Sequence, residues 1–215
     1  MSFLNQLKSQ AKELQSQQER VSADLDGNTA QAERACDLTQ YYLRDLARQL
    51  NVISPSAAKF TLDGKTPWPA MKLVDFRVDA RKKFLRNKEV IDWIGMGWRV
   101  VPQVGQAVGG SVKVNFPPDL ERVKARLAMG PVKHEVKELR DPEKNKLLAL
   151  QFDYITETRG NVLVTPDHDK ATIAFRIMNA AGFDIVNTTY PAAMVKNELL
   201  DELAKMIVAQ PNRFA

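Results

Sequence analysis

The sequence is poor in the residues from which metal and disulfide chemistry is built. It has one cysteine, Cys36, and two histidines, His134 and His168, in 215 residues. One thiol cannot form an intrachain disulfide, so an oxidising compartment gains no support and a cytoplasmic location is the expectation. A closed zinc site needs four such ligands, and the chain can hardly supply them. The expectation is therefore no metal and no cofactor. No stretch approaches the roughly 20 apolar residues of a membrane span, and Met1 to Gln10 lack the basic and then apolar pattern of a secretory leader, so no membrane partner is expected. Motifs of covalent catalysis are missing too. There is no Gly-x-Ser-x-Gly elbow, and Gly95-Met96-Gly97 lacks the third glycine and the strand-to-helix setting of a dinucleotide loop. No catalytic residue is assigned.

What is present is an ordinary globular composition, 44% hydrophobic and 27% charged, long enough to bury a core without a staple. The net charge of +5 is unevenly spread: residues 1–54 carry −1, residues 55–146 carry +8 and residues 147–215 carry −2. A basic middle third bears on partners more than the total does.

The fold class read from periodicity is α+β: an N-terminal helical hairpin over residues 1–54, then an antiparallel-rich sheet domain with two helices over residues 55–215. Leu4, Leu7, Ala11, Leu14, Gln18, Val21 and Leu25 alternate at spacings of three and four, the a/d rhythm of a narrow helical seam. Asp26-Gly27 reads as a turn, and Asn28 with Gln31 as the capping box of a second helix that carries Cys36, Leu43, Leu46, Leu50 and Ile53 and ends at Ser54-Pro55. Gln6, Gln10, Gln15 and Gln17 suit the solvent side.

After Pro55 the period becomes two. Val74, Phe76, Val78 and Ala80 interleave with Asp75, Arg77, Asp79 and Arg81, a strand with one apolar and one charged face. Residues 90–101 pair with it, and Val112, Val114 and Phe116 mark a third strand. Pro117-Pro118-Asp119 opens a short helix with Leu120, Val123 and Leu127 on one face. A second meander is expected at 132–140, 147–157, 161–165, 171–178 and 183–189, separated by Asp141-Pro142, Arg159-Gly160-Asn161, Asp167 to Lys170 and Ala181-Gly182. A last helix starts near Pro191 and buries Val195, Leu199, Leu203 and Met206, with Gln210 to Ala215 free to fray. An offset of 72 residues superimposes Gly110 on Gly182, Val114 on Val186 and Leu127 on Leu199, which suggests sub-repeats at 71–130 and 146–210.

Two candidate sites stand out. Arg81, Lys82, Lys83, Arg86 and Lys88 crowd a strand end and hairpin tip, where they would clamp the phosphates of nucleic acid or another polyanion, or else form a solvated edge. Trp68, Trp93 and Trp98 would line a ligand pocket, or pack as core residues. Arg122, Lys124, Arg126, Lys133 and Lys137 read as solvated charge, Asp167-His168-Asp169 as a polar turn, and His134 as a hydrogen-bonded residue on an apolar face. Cys36 reads as a buried, inert thiol.

The functional reading is a non-catalytic interaction or adaptor protein that self-associates or binds a protein partner through the hairpin. The alternatives are a nucleic-acid or polyanion-binding protein using the basic middle third, and a small-molecule-binding protein or enzyme with a pocket near the tryptophans.

Overall fold

The computed structural model describes residues 3–215, without the side chains of Phe3, Leu4 and Ser9. The fold is α+β with antiparallel sheets. One correction comes first: the N-terminal segment is not a hairpin but a single helix, α1, Phe3–Ile53, of 51 residues and about 76 Å. A helical glycine costs about 1 kcal/mol relative to alanine, and Gly27 meets that cost where the rest of the chain braces the helix. Lys88 pairs with Asp26 at 2.9 Å, Asn28 Nδ2 donates to the Asp169 carbonyl at 2.7 Å, and Arg86 donates to Thr29 Oγ1 at 2.6 Å. The supposed cap residue Asn28 is thus a helix-interior residue tied to a distant turn.

The second half of α1 buries Thr29, Ala32, Ala35, Cys36, Thr39, Leu43, Ala47 and Leu50, against the large sheet and the last helix. Small side chains at 32, 35, 36 and 39 let the helix approach the strands closely. It ends where Ser54 takes φ 47°, with Pro55 next.

Two long strands follow, β1 (Met71–Leu85) and β2 (Lys88–Pro102), joined through Arg86 and Asn87. Both have positive φ, the geometry of a two-residue primed turn. A bulge between Val74 and Arg77 puts Asp75 at φ 58° and frees the backbone of Phe76. The Asn51 side chain satisfies both of its groups, donating to the Phe76 carbonyl at 2.9 Å and accepting its N–H at 2.7 Å.

The chain then builds β3 (Gly109–Val114), α2 (Pro117–Met129), β4 (His134–Arg140), β5 (Leu147–Ile155), β6 (Thr158–Asp167), β7 (Thr172–Met178), β8 (Ile185–Pro191) and α3 (Asn197–Ile207). There are two sheets rather than one. The larger runs β1-β2-β6-β7-β8 and the smaller β3-β5-β4, every pairing antiparallel. The chain leaves the large sheet after β2 and returns through Thr156 and Glu157, so the two meanders of the sequence are interleaved.

Under the 72-residue offset the order strand then helix recurs, β3 before α2 and β8 before α3, but in different sheets. Val114 is the last residue of β3 in the small sheet, whereas Val186 is the second residue of β8 at the edge of the large one. The C-terminal tail does not fray: Phe214 is fully buried edge-on to Phe175 at 5.3 Å, and its carbonyl accepts the Tyr190 hydroxyl.

Candidate interaction surfaces

The a/d seam and the buried stripe of α1 are one face. Leu25 leads into Thr29, Ala32, Cys36, Thr39 and Leu43 at spacings of three and four, so the stripe that packs on the sheet continues past the end of the sheet domain. There it meets nothing. Every described side chain from Asn5 to Asp24 is exposed, including Leu7 at 45%, Leu14 at 61% and Val21 at 59%. Most helical stability in proteins comes from packing an amphipathic face rather than from propensity, and the apolar seam is what another helix would cover.

The charges on this projecting arm are sorted along it. Lys8 and Lys12 come first along it; Glu13, Glu19, Asp24 and Asp26, offset by Arg20, lie beyond.

The five cations of the basic hairpin tip are paired with four acids within the molecule. Lys82 meets Glu89 at 2.8 Å, and Arg81 and Lys83 flank Asp92 at 3.8 and 3.1 Å. Arg86 meets Asp169 at 2.6 Å and Lys88 meets Asp26 at 2.9 Å. These pairs are largely exposed and each is worth little, but Arg86 and Lys88 spend their charge on the brace that carries α1 past Gly27. Two of the acids come from far along the chain, so local composition overstates the free charge of the tip.

The three tryptophans do not share a pocket. Trp68 is buried and stacks on Phe60 and Tyr154 at 5.8 and 5.7 Å; Trp98 is buried and stacks on Phe76 at 5.7 Å. Trp93 is half-buried on the opposite face of β2 from Trp98, its ring 3.2 Å from where a Cβ on Gly95 would stand. Gly95 is therefore the backbone relief expected beside an indole, and Gly160, under Trp98, is a second that the sequence did not pair with it.

A cavity of about 610 Å³ lies on the small sheet, lined among others by Ser111, His134, Glu135, Asp153 and Tyr154. A hydroxyl, an imidazole and two carboxylates invite a catalytic reading, which the pleat defeats. Glu135, Asp153 and Ser111 are cross-strand neighbours on one face, while His134 pairs with Tyr154 on the other. His134 Nδ1 lies 2.8 Å from the Val132 carbonyl. Asp153 is held by Lys137 at 2.6 Å and Gln151 at 2.8 Å, which keeps its carboxyl at about 2, no general base near neutrality.

His168, buried in the Asp167 to Lys170 turn, faces Glu33 of α1 at 2.9 Å. No group of three metal-type ligands occurs among the described residues. Burial, with Glu33 and Asp37 nearby, pushes the Cys36 thiol up to about 12, the state of an unreactive thiol. On α2, Arg126 reaches the Thr61 and Leu62 carbonyls at 3.0 and 3.1 Å, a structural tie rather than a free charge.

No helix of the described residues is long and apolar enough to cross a membrane. No protein-family model matches the chain, and no curated protein or solved structure does.

Proposed function

We propose that the chain is a non-catalytic interaction protein that associates with a second copy of itself through the projecting half of α1. The observation that carries this is the exposed seam: a regular a/d stripe on an arm that no other described part of the molecule supports. Burial of Leu7, Ala11, Leu14, Gln18, Val21 and Leu25 against an equal stripe would give the arm the packing that propensity alone does not supply. The single buried thiol suits a reducing compartment such as the cytoplasm.

The charge order of the arm favours an antiparallel pair. Parallel copies would set every charge of the arm beside its own equivalent. Antiparallel copies with Leu7 against Leu25 set Lys8 against Asp24 and leave Lys12 with Arg20 and Glu13 with Glu19 as like pairs, fewer than in the parallel arrangement. In the antiparallel register that uses the arm to Leu25, Leu7 faces Leu25 of the second copy, Ala11 faces Val21 and Leu14 faces Gln18.

Cysteine crosslinking with light scattering tests both parts. Leu7→Asp with Leu14→Asp should halve the solution mass and leave the sheet domain folded. Leu7→Cys mixed with Leu25→Cys should crosslink readily and Leu7→Cys alone should not, since its two copies would stand about 27 Å apart. A monomeric wild type sinks the proposal; crosslinking of Leu7→Cys with itself sinks the antiparallel arrangement alone.

A further inference from the structure

On the face of the large sheet turned away from α1, the residues of β2 keep partial exposure. Along β2 this face presents Trp93, Gly95, Gly97 and Arg99. Glycine inside a strand weakens it unless conformation, packing or a close approach from outside requires it. Gly95 is accounted for by the Trp93 ring. Gly97 is not: its φ lies outside the left-handed region, and a Cβ there would meet only the Gly160 carbonyl oxygen, at 3.9 Å. Neither backbone nor neighbour demands a glycine, which leaves an approach from solvent.

What surrounds the bare backbone is rich in arginine, with Asp75 in the trough and Asp79 next to Arg77 on the same face. Arg77 on β1 and Asn161 on β6 are the direct cross-strand partners of Gly97, and Arg99 is the partner of Arg159. These four side chains, with Asp75, line an open trough of about 400 Å³. Among the described residues the ion pairs on this part of the face are those of Arg99, with Asp75 and with Glu157, both at 2.8 Å. Arg77 and Arg159 enter none. Like charges directly across a strand pair repel, and Arg99 faces Arg159. Beside them Asn161 Oδ1 is buried without a hydrogen-bond partner; being an acceptor, it has nothing to offer an anion, and the amide Nδ2 is the donor of this side chain.

We propose that this trough binds a phosphate group, with Arg77 and Arg159 as the guanidinium forks, Asn161 Nδ2 as a further donor and the Gly97 backbone as the floor. Guanidinium planes match phosphate oxygens in pairs, which lysines do not. The trough is open rather than enclosed, so the rest of the ligand lies along the sheet. Trp93, four residues away on the same face, offers a ring on which a base stacks. The ligand class is a nucleotide or a single strand of nucleic acid, sharing one chemistry. The site is independent of the helical arm and of the hairpin tip.

Fluorescence anisotropy with a labelled single-stranded decanucleotide, with inorganic phosphate and adenosine monophosphate as competitors, at low and moderate salt, tests it. Binding should weaken with salt. Arg77→Gln with Arg159→Gln should weaken it at least tenfold. Gly97→Val should do the same by filling the trough without changing charge and without lowering the melting temperature, which keeps the test valid if the double variant misfolds. Lys82→Gln with Lys83→Gln should leave it within twofold. Competition by the mononucleotide as tight as the strand itself assigns a small ligand; binding of the strand alone assigns nucleic acid; both support a phosphate site. No binding of any probe at low salt overturns it, as does binding that Gly97→Val leaves intact or that follows the hairpin lysines instead.

Discussion

Phe214, the penultimate residue, lies in a stretch with no regular secondary structure and would pass for a loose end. In the fold it has no exposed surface, packs edge-on to Phe175 at 5.3 Å and lies 5.7 Å from Tyr190. The tail is also tied by the Arg213 N–H donating to Glu202 at 2.6 Å. An aromatic side chain buries on the order of 150–250 Å², about 4–6 kcal/mol at 25 cal/mol per Å². Discounting for residual burial in the unfolded chain lowers this to about 3–4 kcal/mol, inside the range measured for core Phe→Ala changes.

Phe214→Ala should therefore lower the melting temperature by roughly 6–16 °C at this chain length, measured at fixed protein concentration because association contributes to apparent stability. Phe214→Leu, which keeps most of the volume, should cost about 1 kcal/mol. The urea midpoint should fall with an unchanged slope, the sign that only the native state was weakened. A Phe214→Ala protein melting within about 2 °C of wild type would show that the tail is not docked, and the packing argument would be wrong.

Two further outcomes follow from single positions. Gly160→Ala should destabilise by about 1–3 kcal/mol in chemical unfolding, because its Cβ would stand 2.4 Å from the Trp98 ring; a neutral result would mean that the indole has another place to go. Burial alone would raise the Asp63 carboxyl, but the Thr66 and Lys65 N–H groups and the Thr66 and Thr61 hydroxyls outweigh it and hold it at about 2. Its folded pKa is thus below its unfolded one, near 3.9, so its contribution is full above about pH 4 and is lost as pH falls toward 2. Asp63→Asn should cost about 1–2 kcal/mol at neutral pH and flatten stability over that acid range; an unchanged acid profile would refute the assignment.

Much of the element map was legible because it rests on local chemistry. Period-two alternation marked β1 at Phe76 to Ala80, although the bulge at Asp75 turns Val74 to the face opposite Phe76. Turn residues bounded β4, β7 and β8 near their observed ends, whereas Arg159-Gly160-Asn161, expected as a turn, pairs with β2 inside β6 because Thr156 and Glu157 make the turn. Pro117-Pro118 opened α2 where the structure starts it, and spacings of three and four drew the seam of α1. These signals lie within one element, where side-chain direction follows directly from backbone geometry. The candidate sites were less legible. The run from Arg81 to Lys88 looked like free charge because Asp26 and Asp169 are distant in sequence, and Trp93 looked like its two neighbours until the pleat set it on the outer face. The trough around Gly97 draws its arginines from β1, β2 and β6, whose adjacency depends on β2 pairing with β6 across more than fifty intervening residues.

What the sequence by itself determined was the period of each segment and hence its kind: helix, strand, turn, and which face is apolar. Only the tertiary structure decided whether Gly27 ends a helix or sits inside one, which sheet each strand joins, and whether the last residues hang free. The reason is one of magnitude. A glycine in a helix, a tail of six residues or a choice of strand partner is decided by about 1–4 kcal/mol. At each of these places the larger contribution comes from residues remote in the chain: Lys88, Arg86 and Asp169 at the helix, and Phe175 and Tyr190 at the tail.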